Sequence, residues 1–158
     1  MQHRMKTHPL TKAQMEALLS RSLTGSLATL NEDGSPYVTP VHFVYNDGTV
    51  YLHGLPKGRK LDNIKSDPRV SMTVFEMDSL LLDPDEKPCD TNTKYESIIL
   101  SGKAILVDDL EGKSKILGKI VKKYTPQLAD RELPENMVRG TAVIRIDVDD
   151  MTGKFYDN

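Results

Sequence analysis

The chain of 158 residues is poor in the residues that mark several specialised classes of protein. It has one cysteine, Cys89, so no internal disulfide can form and a reducing compartment is expected. Its net charge of -2 does not favour nucleic-acid binding, which usually needs a basic face. No apolar run is long enough to span a bilayer, and no apolar signal segment follows residues 1–6. These absences predict a cytoplasmic protein with neither a nucleic-acid nor a membrane partner.

Signatures of catalytic and metal sites are equally scarce. The four histidines are His3, His8, His42 and His53, and they show no zinc-site spacing with each other or with the cysteine, so no metal is expected. The chain also lacks a P-loop, a nucleophile elbow and the glycine fingerprint of dinucleotide-binding domains. No single local motif therefore identifies the function.

Three helices are predicted, after an N-terminal segment, residues 1–8, that is expected to be mobile. Thr11 and Gln14 form a capping-box pattern that starts a helix over residues 12–21. Helical spacing of apolar residues predicts two more helices, over residues 58–66 and 109–124.

Six strands are predicted from alternating and β-branched runs, at residues 25–30, 36–45, 50–53, 69–75, 95–107 and 141–148. Asp-Gly turns ending at Gly34 and Gly48 would join the first three strands into an antiparallel meander. Gly102 predicts a bulge, and Gly153 a turn after the last strand. Closure of the strands into a barrel removes the unpaired edges of a flat sheet. The predicted fold is therefore a single α+β domain over residues 1–158, a six-stranded antiparallel barrel with short flanking helices.

The turn between the third strand and the second helix has the features of an anion cradle. It contains two glycines, a proline and three cations in eight residues, 53–60. Gly54 and Gly58 allow the backbone to approach a ligand closely. The first N–H groups of the helix, with Arg59 and Lys60, would supply donors and positive charge to a phosphate. From the turn alone, a solvated loop is the alternative interpretation.

Several segments, in this order, carry a family resemblance. They are Gly25-Ser-Leu-Ala-Thr, Asn31-Glu-Asp-Gly-Ser-Pro-Tyr-Val-Thr-Pro-Val, Tyr51-Leu-His and Gly58-Arg-Lys-Leu-Asp-Asn-Ile-Lys-Ser-Asp-Pro-Arg-Val. Their order and spacing resemble the FMN-binding split-barrel family, to which pyridoxamine 5'-phosphate oxidase belongs. The branch that the chain resembles most is that of the 5-nitroimidazole-resistance proteins. The resemblance implies a split barrel, FMN as cofactor and oxidoreductase chemistry on a small organic substrate.

The resemblance also implies residues for each part of FMN. The backbone positions implied at the isoalloxazine edge are Thr39, Pro40, Val41 and His42. The positions implied at the ribityl phosphate are His53, Gly54, Arg59 and Lys60.

His53 is also the candidate catalytic residue. A neutral imidazole could hydrogen-bond to flavin or donate a proton to a nitro group under reduction. A structural hydrogen bond at the end of a strand is the alternative role. Cys89 is a weaker candidate, because its acidic neighbours Asp85, Glu86 and Asp90 disfavour a reactive thiolate.

Two departures from pyridoxamine 5'-phosphate oxidase itself bear on the substrate. That oxidase has an arginine and a lysine where this chain has Thr39 and Val44, and it ends in a segment with arginine and tryptophan, whereas this chain has no tryptophan. Oxidation of pyridoxamine phosphate is therefore not expected. A non-catalytic flavin or electron-transfer module, an oxidase of that type and a cofactor-free or haem-handling relative stay open as alternatives.

A homodimer is the last implication of the resemblance. Family members of this size build each flavin site from both subunits, so two sites at the interface are expected. The strand predicted at residues 95–107 and the segment 152–154 are the candidates for the partner's contribution.

Overall fold

The computed structural model describes residues 3–157, apart from the side chain of Arg4. The helices are α1 His3–Thr7, α2 Lys12–Arg21, α3 Arg59–Ser66, α4 Leu110–Tyr124 and α5 Glu135–Gly140. The strands are β1 Gly25–Leu30, β2 Pro36–Val41, β3 Phe43–Asn46, β4 Thr49–Gly54, β5 Arg69–Leu81, β6 Asn92–Leu106 and β7 Ala142–Tyr156. Short 3₁₀ turns lie at Pro88–Asp90 and Pro126–Leu128. No helix in the described range is both long and apolar enough to cross a membrane.

The seven strands form one antiparallel sheet in the order β2-β1-β5-β6-β7-β4-β3. β2 and β3 stand at opposite ends of that order, yet only His42 separates them in the chain. In a flat sheet six strand spacings of about 4.8 Å would put them about 29 Å apart. A one-residue connection spans at most about 7 Å. The sheet must therefore curl until its ends meet at His42, which makes a barrel with an unpaired seam between β2 and β3.

This closure confirms the predicted α+β barrel and corrects the number of strands from six to seven. The segment predicted as one strand, 36–45, is two strands, each paired with a different neighbour: β2 with β1 and β3 with β4. The predicted three-stranded meander is wrong for the same reason. Val41 is buried, His42 exposed and Phe43 buried, so the alternation continues across the seam. Alternation of buried and exposed residues indicates which face of a strand is buried but not which strand is its partner, so the break at His42 could not be seen from the pattern.

Gly102 and Gly153 both lie inside strands. The bulge predicted at Gly102 is confirmed, since the β6–β7 register shifts between Ser101 and Gly102. The turn predicted at Gly153 is wrong: Gly153 pairs with Ile98 and β7 continues to Tyr156. A Cβ on Gly153 would lie 2.8 Å from Cγ of Met15 in α2. The glycine is needed because α2 packs closely against the sheet at that point.

The helices that were predicted begin and end close to their expected bounds. In α2 the capping box is present: the N–H of Gln14 donates to Thr11 Oγ1, and the N–H of Thr11 donates to Gln14 Oε1 over 2.8 Å. α5 was not predicted. The N-terminal segment 1–8, predicted to be mobile, lies partly outside the described residues, and its part His3–Thr7 forms α1.

The barrel interior and the inner faces of α2 and α3 make one apolar core. Its fully buried large side chains include Leu18, Leu19, Phe43, Leu52, Ile98 and Ile144. From α3, Leu61 and Ile64 enter the same core. α3 is thus fixed against the barrel by its apolar face, which leaves the beginning of the helix at the surface.

Candidate functional site

A cavity of about 260 Å³ lies where α3 begins, against β2, β4 and β7. Its lining residues are Tyr37, Thr39, Gly54, Leu55, Lys57, Gly58, Arg59, Lys60, Leu61, Ala142 and Ile144. Three of these are cations, and none of the described lining residues is a carboxylate. Like charges held close together raise each other's free energy, and an anion in the cavity would relieve that repulsion. The cavity is therefore suited to an anionic group.

The start of α3 adds backbone donors to these cations. Gly58 is the N-cap residue, and no side chain caps the helix there. Its φ of 137° is a conformation that side-chain-bearing residues rarely adopt. The carbonyl of Gly58 accepts from the N–H groups of Leu61 and Asp62, so the preceding N–H groups, of Arg59 and Lys60, are the first free donors of the helix. Free N–H groups and the positive end of the helix dipole both favour a phosphate.

Lys60 and Arg59 are held differently. Lys60 is half-buried, its pKa is lowered by that burial, and it forms no ion pair with the described residues. Its Nζ lies 4.0 Å from the position that a Cβ on Gly54 would take. The Arg59 guanidinium is exposed and lies 5.5 Å from the centroid of the Tyr37 ring, close enough for a cation–π contact. An anion bound in the cavity would compensate the half-buried Lys60 ammonium, which pairs with no carboxylate in the described part of the chain.

Asn63 fixes the position of α3 relative to β1. It is 5% exposed, and its Nδ2 donates to Thr29 Oγ1 over 3.0 Å and to Asn31 Oδ1 over 3.1 Å. A buried amide with two partners has defined geometry, because an alternative placement would leave its polar atoms unsatisfied. Sequence reasoning missed Asn63, although a polar residue between the apolar Leu61 and Ile64 was a visible signal.

His53 lies beside this cavity, one residue before Gly54 on β4. Its Nδ1 is buried and has no hydrogen-bond partner among the described residues. Burial lowers the pKa of His53, and the nearby His42 and Lys60 lower it further. The imidazole is therefore mainly neutral near pH 7, and its buried Nδ1 is not exposed to the cavity in this conformation.

The predicted site residues fall into two groups. Thr39, Gly54, Arg59 and Lys60 line the cavity, and His53 is adjacent to it. Pro40, Val41 and His42 do not line it. The Val41 side chain is in the core, Pro40 is exposed, and the His42 ring stacks on Tyr124 at a centroid distance of 4.8 Å.

The role predicted for Pro40, Val41 and His42, however, depends on their backbone groups and not on their side chains. Among the described strands β2 pairs with β1 alone, so no strand covers its other backbone edge. Pro40 has no N–H, so of its own backbone groups it can offer a ligand only the carbonyl oxygen. The assignment of Thr39, Pro40, Val41 and His42 to the isoalloxazine edge stays a prediction.

Sequence reasoning missed several lining residues. Tyr37 could have been found, because it lies two residues before Thr39 and so on the same face of β2. Ala142 and Ile144 could not, because they reach the cavity only through the pairing of β7 with β4, for instance Ala142 with Gly54.

A larger cavity, of about 570 Å³, lies elsewhere, between α2 and the ends of β5, β6 and β7. Its charged lining residues are Arg21, Glu76, Asp78, Lys94, Glu96 and Asp157. Arg21 pairs with both glutamates, and Lys94 pairs with Asp78. With four carboxylates against two cations this cavity repels a phosphate, in spite of its size.

The sequence profile of the pyridoxamine 5'-phosphate oxidase family matches residues 11–155. The chain belongs to this family. A curated relative, an uncharacterized protein of Rhizobium meliloti, is 27% identical over 81 residues, which are 50% of this chain and 45% of that protein. The chain therefore matches less than half the length of that relative.

Solved structures similar to this family member support the split-barrel fold. A Bacteroides thetaiotaomicron protein assigned to 5-nitroimidazole antibiotic resistance has a TM-score of 0.79 and 27% identity, covering 92% of this chain and 85% of its own. An FAD and heme binding protein of Mycobacterium smegmatis has a TM-score of 0.84 and 15% identity, covering 94% and 72%. A flavocytochrome of Azotobacter vinelandii has a TM-score of 0.81 and 22% identity, covering 94% and 68%. At these last two identities the likeness concerns the fold alone.

Proposed function

We propose that this member of the pyridoxamine 5'-phosphate oxidase family binds FMN and is an oxidoreductase of the nitroimidazole-reductase type. The observation that carries the proposal is the cavity at the start of α3, where three cations, an uncapped helix and Gly54 surround a space without a carboxylate. The flavin-binding relatives add support, as does the resemblance to 5-nitroimidazole-resistance proteins.

The residues of the cavity fit a single phosphate. Arg59 and Lys60 supply the charge, and the free N–H groups of the first turn of α3 supply directed donors. Gly54 leaves room beside the Lys60 ammonium, since no Cβ occupies that space. The open edge of β2 is left for the isoalloxazine ring, and the neutral His53 lies next to the cavity residue Gly54.

When bound, FMN supplies the transfer of electrons from a reduced donor to a small organic acceptor, for which a nitroimidazole is the proposed example. The protein's part is to bind the phosphate, orient the ring and exclude water from it. A flavin-binding module without turnover is the second candidate. The lining of the cavity is compatible with it, since Arg59 and Lys60 would address the phosphate and neither is needed for electron transfer.

The wild-type protein tests both candidates. Titration with FMN, FAD and riboflavin is expected to give the tightest binding for FMN, because the cavity addresses one phosphate and the chain has no dinucleotide fingerprint for a second. Equal affinities for FMN and riboflavin would contradict the proposal. Under anaerobic conditions NAD(P)H should bleach the flavin absorption band at about 450 nm, and a nitroimidazole should restore it. Flavin binding without either change would leave the non-catalytic module.

We further propose a homodimer with two FMN sites at the interface. The cavity of about 260 Å³ is smaller than the roughly 300–1,000 Å³ of sites that enclose a ligand, so a second surface is needed to cover the ring. One sheet face offers such a surface: Phe75, Met77 and Ile99 are 59%, 50% and 37% exposed. In the pairing of β6 with β7, Thr152 lies beside Ile99 and Lys154 beside Ser97. The segment 152–154, which was predicted to contribute to the partner's site, therefore borders this face.

A single substitution on that face is expected to separate the subunits. Phe75→Asp should change the light-scattering mass at micromolar concentration from dimer to monomer and weaken FMN binding, because a buried carboxylate without a partner opposes association. Leu128→Asp is the matched control, since Leu128 is 46% exposed outside this face. A wild-type monomer that binds FMN tightly would overturn the dimer.

A further inference from the structure

A tyrosine of α4 contacts both residues at the seam of the barrel, His42 and Phe43. Tyr124 is the last residue of α4, and its Oη accepts the N–H of Phe43 over 2.8 Å. The same hydroxyl lies 2.9 Å from the carbonyl oxygen of Phe43 and 2.7 Å from that of Leu23, which are alternative acceptors for its one hydrogen. The Tyr124 ring stacks on His42 with an interplanar angle of 28°.

These contacts take the place of a missing neighbouring strand. β3 is the last strand in the sheet order, and Phe43 is its first residue and fully buried. A buried backbone N–H without a partner is costly, so the edge of β3 needs a polar group from another element. Tyr124 supplies both an acceptor and a donor there. Burial raises the pKa of Tyr124, which keeps the hydroxyl protonated.

The last turn of α4 also contacts β3 and α2 through Lys123. The Lys123 Nζ lies 4.1 Å from the centroid of the Phe43 ring and donates to the carbonyl of Leu19 in α2 over 3.0 Å. α4 therefore contacts both α2 and the joint between β2 and β3. None of the residues that line the cavity at the start of α3 belongs to α4.

We infer that Tyr124 is a positioning residue for the ligand site: by holding Phe43 and His42 at the seam, it fixes the end of β2 whose face lines the cavity. The expected effect of Tyr124 on FMN binding rests on the proposed function, whereas its expected effect on the structure of the seam does not. Tyr37 and Thr39 are on β2, and His42 is close enough to His53 to affect its titration. A loosened seam would therefore disturb both the cavity wall and the histidine beside it.

Tyr124→Phe tests this, with Tyr45→Phe as the matched control. Tyr45 is also on β3, and its hydroxyl likewise serves two partners, Glu16 at 3.2 Å and the N–H of Gly48 at 3.1 Å, away from the seam. Without ligand, Tyr124→Phe is expected to speed hydrogen exchange of the Phe43 amide by about tenfold or more over the control. The NMR titration curve of His53 should shift in Tyr124→Phe alone.

Flavin affinity separates positioning from phosphate binding. Tyr124→Phe should weaken FMN and riboflavin binding by the same factor, about three- to tenfold, because it acts on the strand beside the ring and not on the phosphate. Unchanged Phe43 exchange, or equal effects in Tyr45→Phe, would overturn the inference. If the wild type binds no flavin, the proposed function fails, while the exchange and the titrations still decide the role of Tyr124.

A second variant serves if Tyr124→Phe does not fold. His42→Ala removes the stacked ring at an exposed position, and it should raise Phe43 exchange by about threefold or more over Tyr45→Phe. No rise in that variant would show that the stacked pair does not hold the seam.

Discussion

Arg59→Ala combined with Lys60→Ala is expected to weaken FMN binding by about 100- to 10,000-fold. Each residue would lose a charge-assisted contact with the phosphate, worth about 1.5–3 kcal/mol. Riboflavin has no phosphate, so its affinity should change by less than about tenfold. The two dissociation constants, measured by quenching of flavin fluorescence, give the comparison. The selectivity for FMN over riboflavin should thus largely disappear.

The control for this double variant must remove the same charge elsewhere. Lys115→Ala with Lys122→Ala does so on α4, where both side chains are exposed and neither lines the cavity. This pair should leave both affinities nearly unchanged, because exposed charges at a distance are screened by salt. If the Arg59 and Lys60 variant lost FMN and riboflavin equally, the start of α3 would not be the phosphate site.

The parts of this site that could be predicted are those encoded locally. The turn with Gly54, Arg59 and Lys60 is a run of eight residues whose glycines and cations have the same meaning in any fold. The capping box of α2 is equally local, and the structure contains it.

The parts that could not be predicted depend on which strands pair. The seam at His42 was hidden because alternation continues from Val41 to Phe43. Tyr124 is 81 residues from Phe43 in the chain, and no pattern in α4 marks its hydroxyl as the partner of that backbone N–H. The apolar wall at Ala142 likewise exists only because β7 pairs with β4. Local chemistry therefore located the cationic turn at the start of α3, whereas the surroundings of that turn required the fold.

His53→Ala is expected to lower FMN affinity by about tenfold while the FMN-saturated variant keeps its rate of nitroreduction within about threefold. The measurement is anaerobic reoxidation of the reduced flavin by a nitroimidazole, with both proteins saturated. His8→Ala is the control, because the His8 ring packs edge-on against Phe155, away from the cavity. A direct proton donor would instead cost about 100- to 10,000-fold in rate.

The electrostatics of His53 decide between these outcomes. Its pKa is lowered by burial and by the positive potential of His42 and Lys60, so the imidazolium is scarce at neutral pH. In the pH range between this lowered value and the unfolded value of about 6.5, the unfolded chain binds more protons. Wild-type stability should therefore fall as pH is lowered through that range, and His53→Gln should flatten this part of the curve in urea unfolding. A curve with the same slope in both proteins would mean that His53 titrates normally. The case against a proton-donating role would then lose its main support, and the saturated reoxidation rate alone would have to decide it.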